Sequence, residues 1–395
     1  MKEQSSIHYA EFSLIKGGLL FRLLVWMRLM RPDLEPLYSR AIIFALLTWL
    51  PLLVLSAMQG LAVGGSIKIP FLYDITVSVR LLLALPLLIV AEQMVDSRSH
   101  EVICHFIESG LVDDKEAPKY ESIVRQVQRI ANSIPVEGVI LALVIVNSAF
   151  LRLEFSGVSS TWQFLVSPSG ITRTPAGWWH LVVCIPVFQF LLVRWLYRYL
   201  IWCWFLWRVS LLDLRLVSTH PDRVGGLAFL GVLQVKFCPI VFALASVLSA
   251  YVGQEILFGG AVLKQYTMMI LGNVFLILTI FLGPYLVFSL KLFEIKRRGF
   301  LEYSAMANDY TRSFHQKWIR GEAPEGEHLL GSSDIQSLAD LSHSFAIVRD
   351  MRLVPFDLKL TIIPYAACAV IPFLPLALTV FPIEEIVGKI FEILL

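Results

Sequence analysis

Seven apolar stretches, at 41–63, 74–95, 135–151, 178–200, 226–254, 267–290 and 361–382, constrain this chain more than any other feature. Crossing a hydrocarbon core of about 30 Å takes roughly 20 helical residues. Six of the stretches are long enough, and 135–151 lies at the short limit. Inside lipid no water meets unpaired backbone groups, so each stretch is expected to be helical. Composition agrees: 57% of the residues are hydrophobic and 16% are charged, where soluble domains carry about 25% charged residues. The expected fold class is an all-α polytopic membrane protein of about seven transmembrane helices.

Lys and Arg set the expected orientation. Segments 1–40, 97–134, 207–225 and 291–360 hold 6, 5, 3 and 10 of them, whereas 64–73, 152–177, 255–266 and 383–395 hold 1, 2, 1 and 1. The positive-inside rule then puts the N-terminus in the cytoplasm and the C-terminus outside. The run Gly17–Met30 is apolar but interrupted by Arg22 and Arg28, and Arg31-Pro32-Asp33 follows it instead of a cleavage site. Two readings fit it: an interfacial helix on the cytoplasmic leaflet, or a packed lead-in to the first span. The expected layout is a cytoplasmic segment 1–40, spans one to six over 41–290 with a helical insertion at 97–134, a cytoplasmic segment 291–360, and a seventh span with a short tail at 361–395.

Both insertions carry helical periodicity. Val102, Ile103, Phe106 and Ile107, then Ile123, Val124, Val127 and Ile130, describe two amphipathic helices split by a polar turn at 113–118. Lys291–Ala307 continues the sixth span, Gly321–Gly326 is a turn, and Ser332-Ser333-Asp334 opens a further helix. Together they predict a small helical cytoplasmic cap.

No cofactor is expected, because the chain has no Walker loop and no dinucleotide fingerprint. The five cysteines are scattered without a C-x-x-C pair and read as buried thiols. Glu101, Cys104 and His105 have ligand-like spacing on one helix, but no fourth ligand accompanies them, so no metal is expected. A net charge of +2 gives no reason to expect nucleic acid. The expected partners are anionic lipid headgroups at the cytoplasmic face, further copies of the chain, and a cytoplasmic protein.

The most distinctive local string lies between the fourth and fifth spans: His220-Pro221-Asp222-Arg223-Val224-Gly225-Gly226-Leu227. It resembles a family of uncharacterised bacterial multi-pass membrane proteins with a His-Pro-Asp-x-x-Gly-Gly-Leu loop. The likeness extends to Gly331-Ser332-Ser333-Asp334-Ile335-Gln336, to Arg349-Asp350-Met351-Arg352 with Pro355-Phe356, and to Phe381-Pro382-Ile383-Glu384-Glu385. It implies a bacterial inner-membrane location and no particular chemistry. Read from the residues, Ser218 or Thr219 can cap a helix, with Pro221 and Asp222 in its first turn and Gly225 and Gly226 packing closely. Alternatively, His220 and Asp222 form a proton-responsive site, or Arg223 holds an anion at the helix start.

Five further residues, Lys236, Gln234, Arg194, Arg198 and Arg80, are candidates for an ion path. Lys236, two residues after Gln234, lies at the membrane midplane if the fifth span begins near Gly226, and snorkels to the interface if it begins near Cys238. Glu92 and Glu137 are its candidate partners. Arg194 and Arg198 share one stripe of an aromatic fourth span and either meet lipid phosphates or line a vestibule. Arg80, in the outer half of the second span, can pair with Glu255 or Glu154. The small residues Ala245, Ser249 and Gly253 form a helix-packing face. The leading expectation is an oligomeric channel or transporter for a small ion. Two alternatives stand beside it: a membrane-anchored sensor or scaffold, and a lipid-modifying enzyme.

Overall fold

The computed structural model describes residues 13, 37–64, 67–151, 161–167, 170–324, 326–329 and 331–379. Among them, seven helical stretches are long and apolar enough to cross a membrane: Ser39–Met58, Ile75–Glu108, Ala117–Phe150, Pro175–Ser210, Phe229–Gly259, Leu263–Ile319 and Leu358–Ala377. Each overlaps one expected span. Four run well past it, because amphipathic turns adjoin the apolar zone, in the third stretch as a separate helix that ends at Ala131. The apolar run 17–30, Glu154 and the 381–385 motif lie outside the described residues.

In chain order the elements are α1 (Leu37–Met58), α2 (Ile75–Glu108), α3 (Ala117–Ala131), α4 (Ile134–Leu151), β1 (Phe164–Ser167), β2 (Gly170–Arg173), α5 (Pro175–Ser210), α6 (Phe229–Gly259), α7 (Leu263–Leu282), α8 (Ser289–Phe314), α9 (Ser333–Arg349) and α10 (Leu358–Ala377). The first helix expected within 97–133 is not separate; it is the end of α2. The all-helical expectation also needs correcting. The loop after α4 holds an antiparallel hairpin, with Phe164 opposite Arg173 and Ser167 opposite Gly170.

Prolines shape the bundle. The π-helical turns Arg80–Ala84, His180–Cys184 and Leu358–Ile362 each end two residues before a proline: Pro86, Pro186 and Pro364. The 3-10 turns Val235–Phe237, Gly283–Phe288 and Ile371–Phe373 precede or contain Pro239, Pro284 and Pro372. A proline removes one N–H and its ring displaces the carbonyl four residues back, so the ladder widens or tightens there.

The two ends of the bundle are built differently. At the hairpin end, the Asp74 carboxylate accepts the Val77 N–H at 2.9 Å, capping α2, and the Trp162 indole N–H at 2.9 Å. Thr174 caps α5 by accepting the Gly177 N–H at 2.9 Å, and it donates to the Trp162 carbonyl at 2.7 Å. A Cβ on Gly177 would lie 2.4 Å from the Gln163 carbonyl, so only glycine lets the hairpin sit this close.

At the other end, a cap forms where the 109–116, 211–228 and 350–357 loops meet. The Arg215 N–H donates to the Leu111 carbonyl at 2.8 Å, and its guanidinium lies 2.7 Å from Asp113. The Arg352 N–H donates to the Arg223 carbonyl at 2.7 Å, and the Lys296 ammonium to the Met351 carbonyl at 2.7 Å. Helices α8 and α9 pair as a hairpin beyond the bundle, joined where Lys317 and the Trp318 indole reach Asp334 at 3.0 and 2.9 Å. On the opposite flank, the Ala245, Ser249 and Gly253 face of α6 packs on α10. There the Ser249 hydroxyl donates to the Pro372 carbonyl at 2.6 Å.

Candidate functional site

Four ionisable side chains meet inside the bundle. Arg194 and Arg198, one turn apart on α5, face Glu92 of α2 and Glu137 of α4. The Arg194 Nε donates to Glu137 at 2.9 Å, an Arg194 Nη donates to Glu92, and Arg198 reaches the same Glu92 oxygen at 2.9 Å. Arg194 is 2% exposed and Glu137 1%. Two cations thus neutralise two carboxylates. This corrects two expectations: Arg194 does not line an open vestibule, and Glu92 and Glu137 belong to the α5 arginines rather than to Lys236.

The His220–Gly226 loop also differs from its expected form. No helix starts at Ser218 or Thr219; the helix begins at Phe229. Asp222 instead gathers the loop. Its carboxylate accepts the N–H groups of Val224 at 2.9 Å, Gly226 at 3.1 Å and Ala228 at 3.0 Å, and it lies 2.8 Å from the His220 Nδ1. Partial burial pushes the Asp222 carboxyl up, but these bonds outweigh it and hold it below the usual carboxylate range. Turning the backbone through three left-handed residues, Arg223, Gly225 and Gly226, brings those amides onto one side chain. Arg352 closes the loop from outside by donating to the Asp222 carbonyl at 3.1 Å. The Arg223 carbonyl takes the Arg352 N–H, so this segment is a fastening between loops.

A groove of about 530 Å³ opens between α2, α5, α6 and α7. Its walls are mostly apolar, including Phe188, Leu192, Leu244, Val247 and Ile277. Its mouth is on the bundle's outer surface, where the lining residues Leu196 and Leu276 are each 55% exposed. Three polar side chains line it: Thr76, Arg80 and Asn273. The Thr76 hydroxyl, the Arg80 Nε and the Asn273 amide nitrogen are all buried with no hydrogen-bond partner among the described residues. Arg80 makes no ion pair with Glu255, contrary to expectation. Its guanidinium lies over the Phe188 ring, 5.6 Å from the centroid.

The groove ends on an aromatic plug. Tyr199, Phe237 and Phe281 stand with centroids 4.9 to 6.1 Å apart. Gln234, fully buried, donates to the Phe281 carbonyl, and its own carbonyl accepts the Tyr365 hydroxyl at 2.6 Å. Beyond the plug lies a second cavity of about 420 Å³, at the cap, lined by Lys236, Arg98, Arg352 and Asp357. Lys236 and Phe237 are neighbours on one 3-10 turn, yet they face different cavities. Lys236 therefore sits at the cap end of the bundle. Among the described residues, no group of three or more side chains is arranged to hold a metal ion.

No protein-family model matches the chain, and neither the curated proteins nor the solved structures contain a similar one.

His180 was not singled out by sequence reading. It is buried near the hairpin, edge-on to Trp162 at 5.5 Å, with neither ring nitrogen hydrogen-bonded among the described residues. Only its place just before Pro186, inside a π-turn, marks it in the sequence.

Two outcomes follow from these geometries. Arg194→Met leaves two buried carboxylates with one cation and is expected to destabilise the protein by roughly 3–5 kcal/mol; adding Glu137→Gln should recover part of that loss in thermal unfolding. Asp222 has a depressed carboxyl pKa, so its contribution is complete above the unfolded value of about 4 and is lost as pH falls through the folded value. Amide exchange at Val224, Gly226 and Ala228 should accordingly be faster in Asp222→Asn than in wild type at neutral pH, with the gap closing below about pH 4.

Proposed function

We infer that this multi-pass membrane protein takes up an amphiphile from the bilayer. The apolar chain lies in the groove and the polar group meets Arg80, Thr76 or Asn273. One observation carries the reading: an apolar groove, open sideways at the bundle's outer surface, where the Thr76 hydroxyl, the Arg80 Nε and the Asn273 amide nitrogen are buried with no hydrogen-bond partner among the described residues. A guanidinium in hydrocarbon is costly unless paired or hydrated. An apolar groove holds water poorly, so an acceptor carried on a lipid chain is the fitting occupant. The volume falls within the 300–1,000 Å³ range typical of small-molecule sites.

The Lys and Arg distribution supports a cytoplasmic cap, and the loop's likeness to bacterial multi-pass proteins supports an inner-membrane location. Arg80 then lies toward the extracytoplasmic leaflet. Contact with a cytoplasmic protein would fall to the α8–α9 hairpin, and contact between copies to the exposed apolar faces.

Native mass spectrometry of the protein from mild detergent tests the reading. Wild type should retain a lipid-sized adduct; Leu244→Trp, which fills the groove, should lose it at an unchanged melting temperature. Arg80→Gln should lower retention of anionic amphiphiles by roughly tenfold or more, the loss of one charge-assisted hydrogen bond. Equal retention by wild type and Leu244→Trp would place the lipid elsewhere and end this reading.

A small-ion channel or transporter is the second reading, and one observation favours it. Both cavities carry cations, and a single turn with one aromatic plug separates them. A shift of Val235–Phe237 would join them. Liposomes screened with K⁺, Na⁺, H⁺ and Cl⁻ should then pass an anion, with faster flux in Phe237→Ala and slower flux in Lys236→Ala. Absence of flux from both wild type and Phe237→Ala removes it.

A further inference from the structure

The cavity at the cap carries a different chemistry from the groove. It lies between the end of α2, the first turns of α6 and the 352–361 segment. Arg98, Lys236 and Arg352 line it against one carboxylate, Asp357. That carboxylate is already engaged: it takes the Arg352 guanidinium at 2.6 Å and the N–H groups of Lys359 and Leu360 at 2.8 and 3.2 Å, capping α10. It therefore has little left to offer Lys236.

The cations are not equally engaged. Arg98 bonds to Glu101 on its own helix, and both side chains are solvent-exposed. Arg352 is fixed through Asp357 and the Asp222 carbonyl, but its buried Nε has no hydrogen-bond partner among the described residues. Lys236 makes no hydrogen bond or ion pair among the described residues, although it lines the same cavity as Asp357. Phe229, Phe356 and Leu360 supply apolar wall.

We propose that this cavity binds a phosphomonoester: a phosphate dianion held by Lys236, Arg352 and Arg98, with its organic carrier against Phe229 and Phe356. Three cations from three separate segments suit a tetrahedral anion, which accepts hydrogen bonds from several directions, better than a planar carboxylate. The arginine fork gives directed bonds and the lysine a mobile point charge. The cavity is far larger than a bare phosphate needs, and its aromatic wall gives the carrier a place. The carrier is either a lipid whose headgroup ends in phosphate or a soluble phosphate ester. The site is separate from the groove, so Leu244→Trp should leave it intact.

Calorimetric titration of the full-length protein in neutral detergent tests this with three probes: dioctanoyl phosphatidic acid, dioctanoyl phosphatidylcholine and glycerol 3-phosphate. Phosphatidic acid should bind, and Lys236→Gln should weaken it by roughly tenfold or more, as expected for one charge-assisted hydrogen bond. Arg98→Gln, a surface change that keeps the fold, should weaken it in the same direction. Arg297→Gln, an exposed cation outside the cavity, should not. Binding of glycerol 3-phosphate as well assigns the site to soluble esters, and binding of phosphatidic acid alone assigns it to a lipid headgroup; both support the proposal. Equal binding of phosphatidylcholine, no binding of either phosphomonoester, or binding unchanged in Lys236→Gln and Arg98→Gln overturns it.

Discussion

The arrangement of α2, α4 and α5 depends on the ion network that Arg194 and Arg198 form with Glu92 and Glu137. Taking four charges out of water is expensive, and desolvation offsets much of their mutual attraction. The network's main consequence is therefore register. Sliding α5 by one turn so that Arg194 stands where Arg198 is would leave Glu137 without its 2.9 Å partner. In lipid-facing helices most apolar side chains are interchangeable, so a charge match fixes depth where hydrophobicity cannot. The groove lies on another face of the same helix, through Phe188, Leu192, Trp195 and Tyr199, and inherits that register.

Prolines supply the complementary constraint. A straight helix presents side chains in a fixed rotation, but the turns at Arg80–Ala84 and Val235–Phe237 break that rotation where the cavities need it. Arg80 opens one such turn and lines the groove. Lys236 and Phe237 occupy the other and look into separate cavities. π-turns recur at functional sites because they re-aim side chains without ending the helix. Both cavities thus rest on local departures from ideal geometry, and each departure is written in the sequence as a proline.

The seven spanning-length helices were legible because they depend on length and hydropathy, which are additive along the chain. The seven spans, the polar turn before α3 and the helix opening at Ser333 could all be read directly. So could the small-residue face at Ala245, Ser249 and Gly253, which packs on α10. The pairing of charges could not. Glu92 and Glu137 lie on other helices than either Arg194 or Lys236, and only the packing of α2 and α4 on α5 decides between them. Nor was the Asp222 turn legible. It depends on three left-handed backbone positions, one of them an arginine, whereas Pro221 and Asp222 on their own read as a helix start.

The two cavities divide the charge problem of a membrane protein into separate solutions. In the bundle interior, Arg194 and Arg198 are neutralised by the chain itself, and such cations have no call on a ligand. Arg80 and Lys236 make no ion pair among the described residues, Arg80 lying over the Phe188 ring in the groove and Lys236 at the cap. An unpaired cation in lipid is tolerated only where something outside the chain meets it, so these two positions are where the protein's needs exceed what its own residues provide. The plug of Tyr199, Phe237 and Phe281 keeps them apart, and hydrogen bonds from Gln234 and Tyr365 brace it. With the plug in place, an amphiphile in the groove, as proposed, would exchange separately from a ligand in the cap cavity. Occupancy at Lys236 would then bear on the groove through one 3-10 turn, because Val235 and Lys236 line the cap cavity and the adjacent Phe237 lines the groove.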